Sequence, residues 1–391
     1  PRPMSPSAHP FFTPEHEALR DTLRRFIAER VLPKADAWEH DGHVPRAVLR
    51  EMGSLGLLGI RYPARFGGSE LDTLATVVLA EELGRSSYGG FAVTVLVHTD
   101  MASPHLVNAG TPAQLDRYLA DVVAGRRICA IATTEADAGS DLASMRTRAR
   151  LDGEHWVLDG GKMFITNGVH GDLFLVAAKT GEPGRNRDIT MFIVERGTPG
   201  FTVARSLDKH GWLSSDTAEL VFQSCRIPAA HVLGEPGKGF YALMKNLQNE
   251  RIVLGAQAMG EAARAIELTL QWVTQRQAFG ASLWDKQTIR QRLAMRAAQV
   301  EAARALVYQT AWRDAQQAWT SPTTVASQAV GPPIVGVDAA GNTLVVWRST
   351  GGQIVSARLD AGGSTWSAPA VLSGEASAAA PTLAVGSAGD V

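Results

Sequence analysis

The hydrophobic period changes twice along this 391-residue chain, and these changes restrict the possible folds more than its composition does. Residues 14 to about 120 follow the spacing of three and four that is typical of helices, and Thr13-Pro14 predicts the first helix start. From about residue 128, short β-branched or alternating runs separated by Asp-Gly and Asn-Gly pairs predict strands. Near Gly237 the helical period returns and predicts two long helices, about 239–275 and 285–318. The order indicates an α+β protein.

The last 72 residues differ in composition, since they contain no lysine and are rich in Gly, Ala, Ser and Thr. Within them "PIVGVDAAGN" (333–342) recurs as "PTLAVGSAGD" (381–390), with about four strand-like runs between the copies. A period near 50 residues with four strands resembles the repeats of sialidase-like β-propellers. The alternative is a disordered polar extension.

These changes predict four domains. They are a helical domain (1–127), a β domain (128–237), a partial helical bundle (238–319) and a β-rich, repeat-like or disordered tail (320–391). The chain begins at Pro1 and ends with "GSAGDV", so we expect both ends to be cut and the chain to be a fragment.

Charge and cysteine content argue against several classes of protein. The net charge of −1 provides no field for binding nucleic acid or an anionic membrane. Cys129 and Cys225 form no close motif, which argues against a disulfide framework or a cysteine metal site and favours a reducing compartment. No apolar run reaches the roughly 18 residues of a membrane span, and no signal peptide opens the chain. We therefore expect a cytoplasmic protein with no metal site.

One acidic residue occupies an apolar helix position in "LQNERIVL" (247–254). Glu250 falls where the three-and-four spacing asks for a core residue. No cation lies three or four positions away from Glu250, so a local surface ion pair is excluded. The remaining alternatives are a functional carboxylate and an acid paired with a distant cation across the bundle. The apolar positions that define this stripe are Phe240, Leu243, Leu247, Leu254 and Ala258.

Three further motifs carry polar or aromatic groups near the ends of predicted elements. "ATTEADAGSD" (132–141) offers backbone N–H groups and hydroxyls for a phosphate or a polar heteroaromatic edge, although such turns also simply connect strands. "KMFITNG" (162–168) places an aromatic ring and a hydroxyl at a strand end, or forms an ordinary hairpin strand with an Asn-Gly turn. In "QRQAFG" and "WDKQ", Arg276 suits a pyrophosphate, and the alternative is a solvated helix end.

Together and in this order, the motifs of residues 11–318 resemble the acyl-CoA dehydrogenase family. The resemblance rests on "FFTPEHEALR", "MGSLGLLGIRYPARFGGSELD", "AEELGR", "HTDMASPHLVNAGTPAQ", "TEADAGSD", "KMFITNG", "SSDTAELVFQSCRIPAAHVLGEPGKGF", "NERIVLGAQAMG" and "QRQAFGASLWDKQTIRQRLA". It implies a helical N-terminal domain, a middle β-barrel-like domain and a C-terminal helical bundle. It also implies FAD between the β domain and the bundle, with a neighbouring subunit of a homodimer or homotetramer completing the site.

The resemblance also implies roles for individual residues. The residues implied to line the flavin and its chain are Ile131, Thr133, Thr134, Gly139, Ser140, Phe164, Ile165 and Thr166, with Thr166 near flavin N5. Those implied to reach the partner subunit's FAD are Arg276, Phe279 and Gln287. Those implied to contact acyl-CoA are Ser140, Gln248 and Arg251. The chain departs from the family where Phe164 replaces a usual Trp and where Ala136-Asp137 replaces a frequent Pro-Gly.

Glu250-Arg251 resembles the pattern of isovaleryl-CoA and long-chain dehydrogenases, in which the catalytic base lies on the first long bundle helix. The implied reaction is α,β-dehydrogenation of an acyl-CoA to a 2-enoyl-CoA. Glu250 would abstract the α proton, the hydride would pass to flavin N5, and the electrons would pass to an electron-transfer flavoprotein. An apolar pocket favours this role because it removes water from the base.

The family's bundle normally continues beyond about residue 318, where this chain has its different tail. We therefore expect the two long helices to expose apolar surface. Two alternative functions follow. One is an inactive truncated or chimeric flavoprotein remnant, and the other is a flavin monooxygenase or oxidase of the same fold.

Overall fold

The structure, a computed structural model, describes residues 10–181, 188–316, 329–337, 342–360 and 366–372. The chain separates into two compact units, Pro1–Gln317 and Ala318–Val391. Among the described helices, none is long and apolar enough to cross a membrane. The predicted division into four domains stays a prediction.

The described residues of the N-terminal part contain seven α-helices: α1 (Pro14–Phe26), α2 (Ala35–Asp41), α3 (Arg46–Ser54), α4 (Thr73–Arg85), α5 (Gly89–Leu96), α6 (Ser103–Ala109) and α7 (Pro112–Val123). A π-helical turn, Val97–Ala102, joins α5 to α6. Helix α4 is buried from Thr73 to Gly84, which makes it the centre of this part. The predicted start of α1 is confirmed, since Pro14 is its first residue.

Where the structure describes the middle part, it contains eight strands: β1 (Cys129–Ala132), β2 (Arg148–Asp152), β3 (His155–Thr166), β4 (Leu173–Lys179), β5 (Ile189–Glu195), β6 (Phe201–Ser206), β7 (Thr217–Pro228) and β8 (Val232–Leu233). They pair in the order β6-β7-β3-β2-β4-β5-β8, and β1 pairs with β4 in parallel. In the described part of the chain β6 and β8 do not pair with each other, so the sheet does not close. The strands were predicted correctly, but the barrel-like shape is corrected to an open sheet.

Two long helices follow, α8 (Gly239–Gln275) and α9 (Gln287–Ala315), joined by the short strands β9 (Gln277–Ala278) and β10 (Ala281–Ser282). These bounds confirm the two predicted helices to within a few residues. Helix α8 crosses α4 at very close range, because a Cβ atom added at Gly260 would lie 2.2 Å from the carbonyl oxygen of Glu81. The expected exposed apolar surface is present on α8 and α9, at Leu254, Leu268, Trp272, Met295, Leu306 and Trp312.

The second unit contains a four-stranded antiparallel sheet in sequence order: β11 (Ala329–Val337), β12 (Thr343–Ser349), β13 (Ile354–Leu359) and β14 (Ala370–Val371). Its small core contains Trp347, Val355 and Ala357. The described residues of the tail are therefore β-rich, as predicted. The second copy of the repeat (381–390) lies outside the described residues, and the likeness to propeller repeats stays a prediction.

Candidate functional site

Glu250 lies on α8 at the edge of the helix's buried face. Its side chain is 20% exposed, and the side-chain amide of Asn246 donates a hydrogen bond of 2.9 Å to Oε1. The Nε2 atom of His105, on α6, lies 3.7 Å from the same oxygen. The carboxylate is thus held by neighbours on two helices and still meets solvent.

The buried face of α8 differs from the predicted apolar stripe. Leu254, a member of that stripe, is 41% exposed, and Ala258 is exposed as well. The residues that α8 buries are Gly239, Leu243, Asn246, Asn249, Ile252, Val253, Ala256, Gln257, Met259, Gly260 and Val273. The predicted buried face was wrong, because polar side chains that have hydrogen-bond partners on other helices also lie on the buried face of α8.

A buried carboxyl group organises these polar partners. Asp100 lies in the turn Val97–Ala102 and is fully buried, which raises the pKa of its carboxyl group. The second N–H of the Asn246 amide donates to the backbone carbonyl of Asp100 at 2.8 Å. The Asn249 amide donates to the Asp100 carboxyl at 3.3 Å and accepts a 2.7 Å bond from the Arg61 guanidinium. These bonds fix the part of α8 that carries Glu250 against the turn Val97–Ala102.

A cavity of about 260 Å³ lies beside this network. Leu58, Leu79 and Val107 provide part of an apolar wall, and Asn246 and Asn249 provide polar groups. The network that holds Glu250 therefore also lines a space large enough for a small organic group. Gln248, one of the residues predicted to contact acyl-CoA, is among the further lining residues.

The other residues predicted to contact acyl-CoA lie on the surface. Arg251 is exposed on α8, and Ser140 is exposed in the β part. Gln248 is exposed too, and its amide donates a 2.5 Å hydrogen bond to Asp314 on α9. Their roles stay predictions.

The structure brings two of the predicted flavin motifs together. Residues 133–140, here called the threonine turn, close on themselves through hydrogen bonds between Glu135 and Ala138. The backbone N–H of Met163 on β3 donates to the carbonyl of Thr134 at 2.9 Å. The end of β3 therefore lies directly beside the threonine turn, although the two are about 30 residues apart in sequence.

A buried ion pair anchors the threonine turn to β3. The Lys162 ammonium lies 2.7 Å from the Glu135 carboxylate and is completely buried. Burial raises the pKa of Glu135, but the charge of Lys162 and the hydrogen bonds from Lys162, Thr147 and Arg146 outweigh it and hold the pKa below 4.5. The turn is therefore fixed by an ionised carboxylate.

The three residues at the end of β3 have different exposures. Phe164 is exposed and has a φ of 61°, an uncommon conformation that turns its ring outward. Ile165 packs in the core of the sheet. Thr166 lines a second cavity, of about 410 Å³, together with Val93 and Trp212. The end of β3 thus carries an exposed aromatic ring and a threonine that lines open space.

Arg276, Phe279 and Gln287 lie at the hairpin between α8 and α9. All three are exposed, and Phe279 is 95% exposed. Within the described residues, no hydrogen bond joins them to the threonine turn. This placement leaves them accessible to a second subunit, and their contact with its FAD stays a prediction.

The turn Val97–Ala102 connects the two halves of the site. The backbone N–H of Cys129, at the start of β1, donates to His98 Nδ1 at 3.0 Å. The Asn246 amide on α8 donates to Asp100 in the same turn. The strand that leads to the threonine turn and the helix that carries Glu250 are therefore supported by one segment.

Three domain patterns of one family match this chain in sequence order. They are the acyl-CoA dehydrogenase N-terminal domain over residues 13–126, the middle domain over 130–225 and the C-terminal domain over 237–329. The chain belongs to the acyl-CoA dehydrogenase family.

Several acyl-CoA dehydrogenases are similar over most of this chain. The mitochondrial long-chain specific acyl-CoA dehydrogenase of Mus musculus is 40% identical over 285 residues, which are 72% of this chain and 66% of that protein. The mitochondrial isovaleryl-CoA dehydrogenase of Pongo abelii is 37% identical over 301 residues, 76% of this chain and 71% of that protein. The crystal structure of acyl-CoA dehydrogenase from Geobacillus kaustophilus has a TM-score of 0.76 at 39% identity, covering 79% of this chain and 81% of that one. The chain spans 66% of the length of the long-chain relative.

The sequence reasoning missed several residues of this member of the acyl-CoA dehydrogenase family. Asp100 and His105 lie in the quoted motif "HTDMASPHLVNAGTPAQ", but no local pattern shows that they face α8. Asn246 and Asn249 precede Glu250 by four residues and by one, so helical spacing places Asn246 on the same face as Glu250. That spacing was the available signal. Among the described residues, no group of three or more His, Cys, Asp or Glu side chains is arranged to hold a metal ion.

Proposed function

We propose that this chain catalyses the FAD-dependent α,β-dehydrogenation of an acyl-CoA thioester to a 2-enoyl-CoA, with Glu250 as the base. The observation that carries the proposal is the half-buried Glu250 carboxylate, which is held through Oε1 by Asn246. In the part of the chain that the structure describes, Oε2 accepts no hydrogen bond. Oε2 is therefore the oxygen available to take a proton.

The residues present fit a flavin. Phe164 presents an exposed ring beside the threonine turn, and a Cβ atom at Gly139 would meet no described atom within 4 Å. The hydroxyl of Thr94 is buried without a described partner, close to the end of β3, where the Asn167 amide donates to the Thr94 carbonyl. A planar ring with a polar edge would use these groups, since buried polar atoms normally have partners. Thr133, Thr134, Ser140 and Thr166 add hydroxyls for the same purpose.

Each partner of the reaction has a separate task. Ser140, Gln248 and Arg251 would hold the acyl-CoA, while Arg276, Phe279 and Gln287 would reach the FAD of a partner subunit in a homodimer or homotetramer. The Cα–H bond breaks and an O–H bond forms at Glu250 Oε2. Bound FAD supplies the acceptor for the hydride that leaves Cβ with its electron pair. An electron-transfer flavoprotein would then remove these electrons.

The test is anaerobic reduction of the flavin by acyl-CoA. Protein loaded with FAD is mixed with straight and branched acyl-CoA thioesters, and the loss of visible flavin absorption is followed. Replacing Glu250→Gln should leave FAD binding intact and slow the reduction about 10²- to 10⁴-fold, the usual contribution of a general base. Glu301→Gln, on the exposed surface of α9, is the matched control and should reduce at the wild-type rate.

Three outcomes would contradict the proposal. Near-normal reduction of the Glu250→Gln protein would remove the base assignment. Oxygen consumption coupled to substrate turnover would indicate an oxidase or monooxygenase. A protein that stays colourless after FAD is added would indicate a remnant that no longer holds the cofactor.

A further inference from the structure

His105 is a buried histidine, and one of its ring nitrogens has no hydrogen-bond partner among the described residues. Its side chain is 1% exposed, and its Nε2 atom is buried without a partner among the described residues. Such an atom is unusual, because most buried side-chain nitrogens are hydrogen-bonded. Oε1 of Glu250 lies 3.7 Å from Nε2.

The backbone that carries His105 is well fixed. The hydroxyl of Ser103, two residues earlier, donates to the carbonyl of His98 at 2.5 Å and lies 2.6 Å from the Tyr62 hydroxyl. The ring of His105 therefore faces Glu250 from a rigid helix start. A gap of 3.7 Å is longer than a hydrogen bond of about 3 Å, so the proposed bond requires the two side chains to move closer together. Catalytic hydrogen bonds are often long before a substrate is bound.

Both neighbours of the Glu250 carboxylate approach the same oxygen. The Asn246 amide donates to Oε1, and His105 Nε2 faces Oε1 too. Two donors on Oε1 would fix the plane of the carboxylate and leave Oε2 directed away from them. They would also stabilise the ionised form when substrate displaces water, since hydrogen bonds to a charged group favour its charged form.

We propose that His105 is a positioning residue for Glu250, donating its Nε2–H to Oε1 so that Oε2 takes the substrate proton. This inference rests on the proposed function of Glu250. It assigns no proton transfer to His105 itself. The proton moves from the substrate carbon to Oε2, and the histidine keeps its own proton.

Asp100, in the turn Val97–Ala102, interacts electrostatically with Glu250. The nearby Arg61 offsets part of the rise that burial causes in the pKa of Asp100. Lys245 and Asp314 line the cavity beside Asn246. On the other side, α7 and β8 pack against α6, and within the described residues neither contributes an ion pair to His105. A change at His105 is therefore expected to act mainly on Glu250.

The first experiment is the pH dependence of flavin reduction in two His105 variants. His105→Leu removes the donor, and we expect the acidic limb of the rate profile to move up by about one pH unit, the usual effect of one charged hydrogen bond. The reduction rate on that limb should fall about tenfold, with little change in the apparent affinity for acyl-CoA. His105→Gln keeps an N–H donor and should restore the rate to within about threefold. His40→Leu, on the exposed surface, is the matched control.

The second experiment does not depend on activity. The ring N–H signals of His105 are compared by NMR in the wild-type protein and in Glu250→Gln. Loss of the carboxylate charge should move the Nε2–H signal of His105 upfield, because a hydrogen bond to an anion is stronger than one to a neutral amide. This measurement decides the pairing even if His105→Leu does not fold.

The outcomes separate the two proposals. Failure of every acyl-CoA to reduce the wild-type protein would overturn the proposed function, while a shifted Nε2–H signal of His105 in Glu250→Gln would still support the pairing. An identical Nε2–H signal in both proteins would overturn the positioning role. An unshifted rate profile in His105→Leu would overturn it as well.

Discussion

His98 is expected to make this protein less stable as the pH falls from about 6.5 to about 4. Its ring is fully buried between β1 and α7. Nδ1 accepts a hydrogen bond from the backbone N–H of Cys129, and Nε2–H donates to the carbonyl of Val122, both at 3.0 Å. Only the neutral ring with its proton on Nε2 can make both bonds. Burial lowers the pKa of His98 from 6.5 to about 4.

The sign and size of the effect follow from this pKa. Between pH 6.5 and 4 the unfolded chain binds a proton at His98 that the folded chain does not bind. The contribution of His98 to the free energy of unfolding is therefore complete above pH 6.5 and decreases as the pH falls towards 4. The slope is up to about 1.4 kcal/mol per pH unit, and the total loss is about 3 kcal/mol.

The assay is urea unfolding at several pH values between 7 and 4 for the wild-type protein and His98→Asn. Asparagine keeps an acceptor near the Cys129 N–H but does not titrate. His98→Asn should have a lower free energy of unfolding than the wild-type protein at pH 7. Its free energy of unfolding should also change less with pH, and the difference in slope should be up to about 1.4 kcal/mol per pH unit. Other groups such as His231, whose pKa is also lowered by burial, contribute equally to both proteins. His40→Asn, on the surface, should keep the wild-type slope. Parallel pH curves for wild type and His98→Asn would refute the reasoning.

Two further predictions concern the partners of buried carboxylates, and both are measured by urea unfolding at pH 7. Lys162→Met leaves the Glu135 carboxylate buried without its cation, so the free energy of unfolding should fall by about 3–5 kcal/mol. The control Lys34→Met, on the surface, should alter the free energy of unfolding by less than about 0.5 kcal/mol. A decrease of less than about 1 kcal/mol in the free energy of unfolding of Lys162→Met would show that the fold does not depend on this ion pair for its stability. Tyr308→Phe removes a 2.6 Å hydrogen bond from the phenol to the buried Glu81 carboxylate and should cost about 1.5–3 kcal/mol. Stability equal to wild type would contradict the importance of this bond.

Much of the fold was predictable from local patterns. The two long helices were placed to within a few residues, because the helical period is a pattern among residues that are close in sequence. The strands of the middle part were found from β-branched runs and glycine pairs in the same way. The open sheet was not predicted, because strand pairing depends on which distant segments meet.

The candidate site also has features that local sequence patterns predict and features that depend on contacts between distant residues. The acidic position on α8 and the polar turn after β1 are visible in the sequence, because each is an exception to a short local period. The buried face of α8 was misplaced, because Asn246 and Asn249 are buried only through their bonds to Asp100. The polarity of a residue does not show whether a hydrogen-bond partner lies on another helix.

The sequence alone thus determined the order of helices and strands, the family and the identity of the acidic residue. Only the tertiary structure decided how that acid is held. The amide beside Glu250 bonds to a carbonyl 146 residues earlier in the chain, and a buried imidazole faces the same carboxylate oxygen. Periodicity records the conformation of adjacent residues, while the environment of a buried charge is set by groups that only packing brings together.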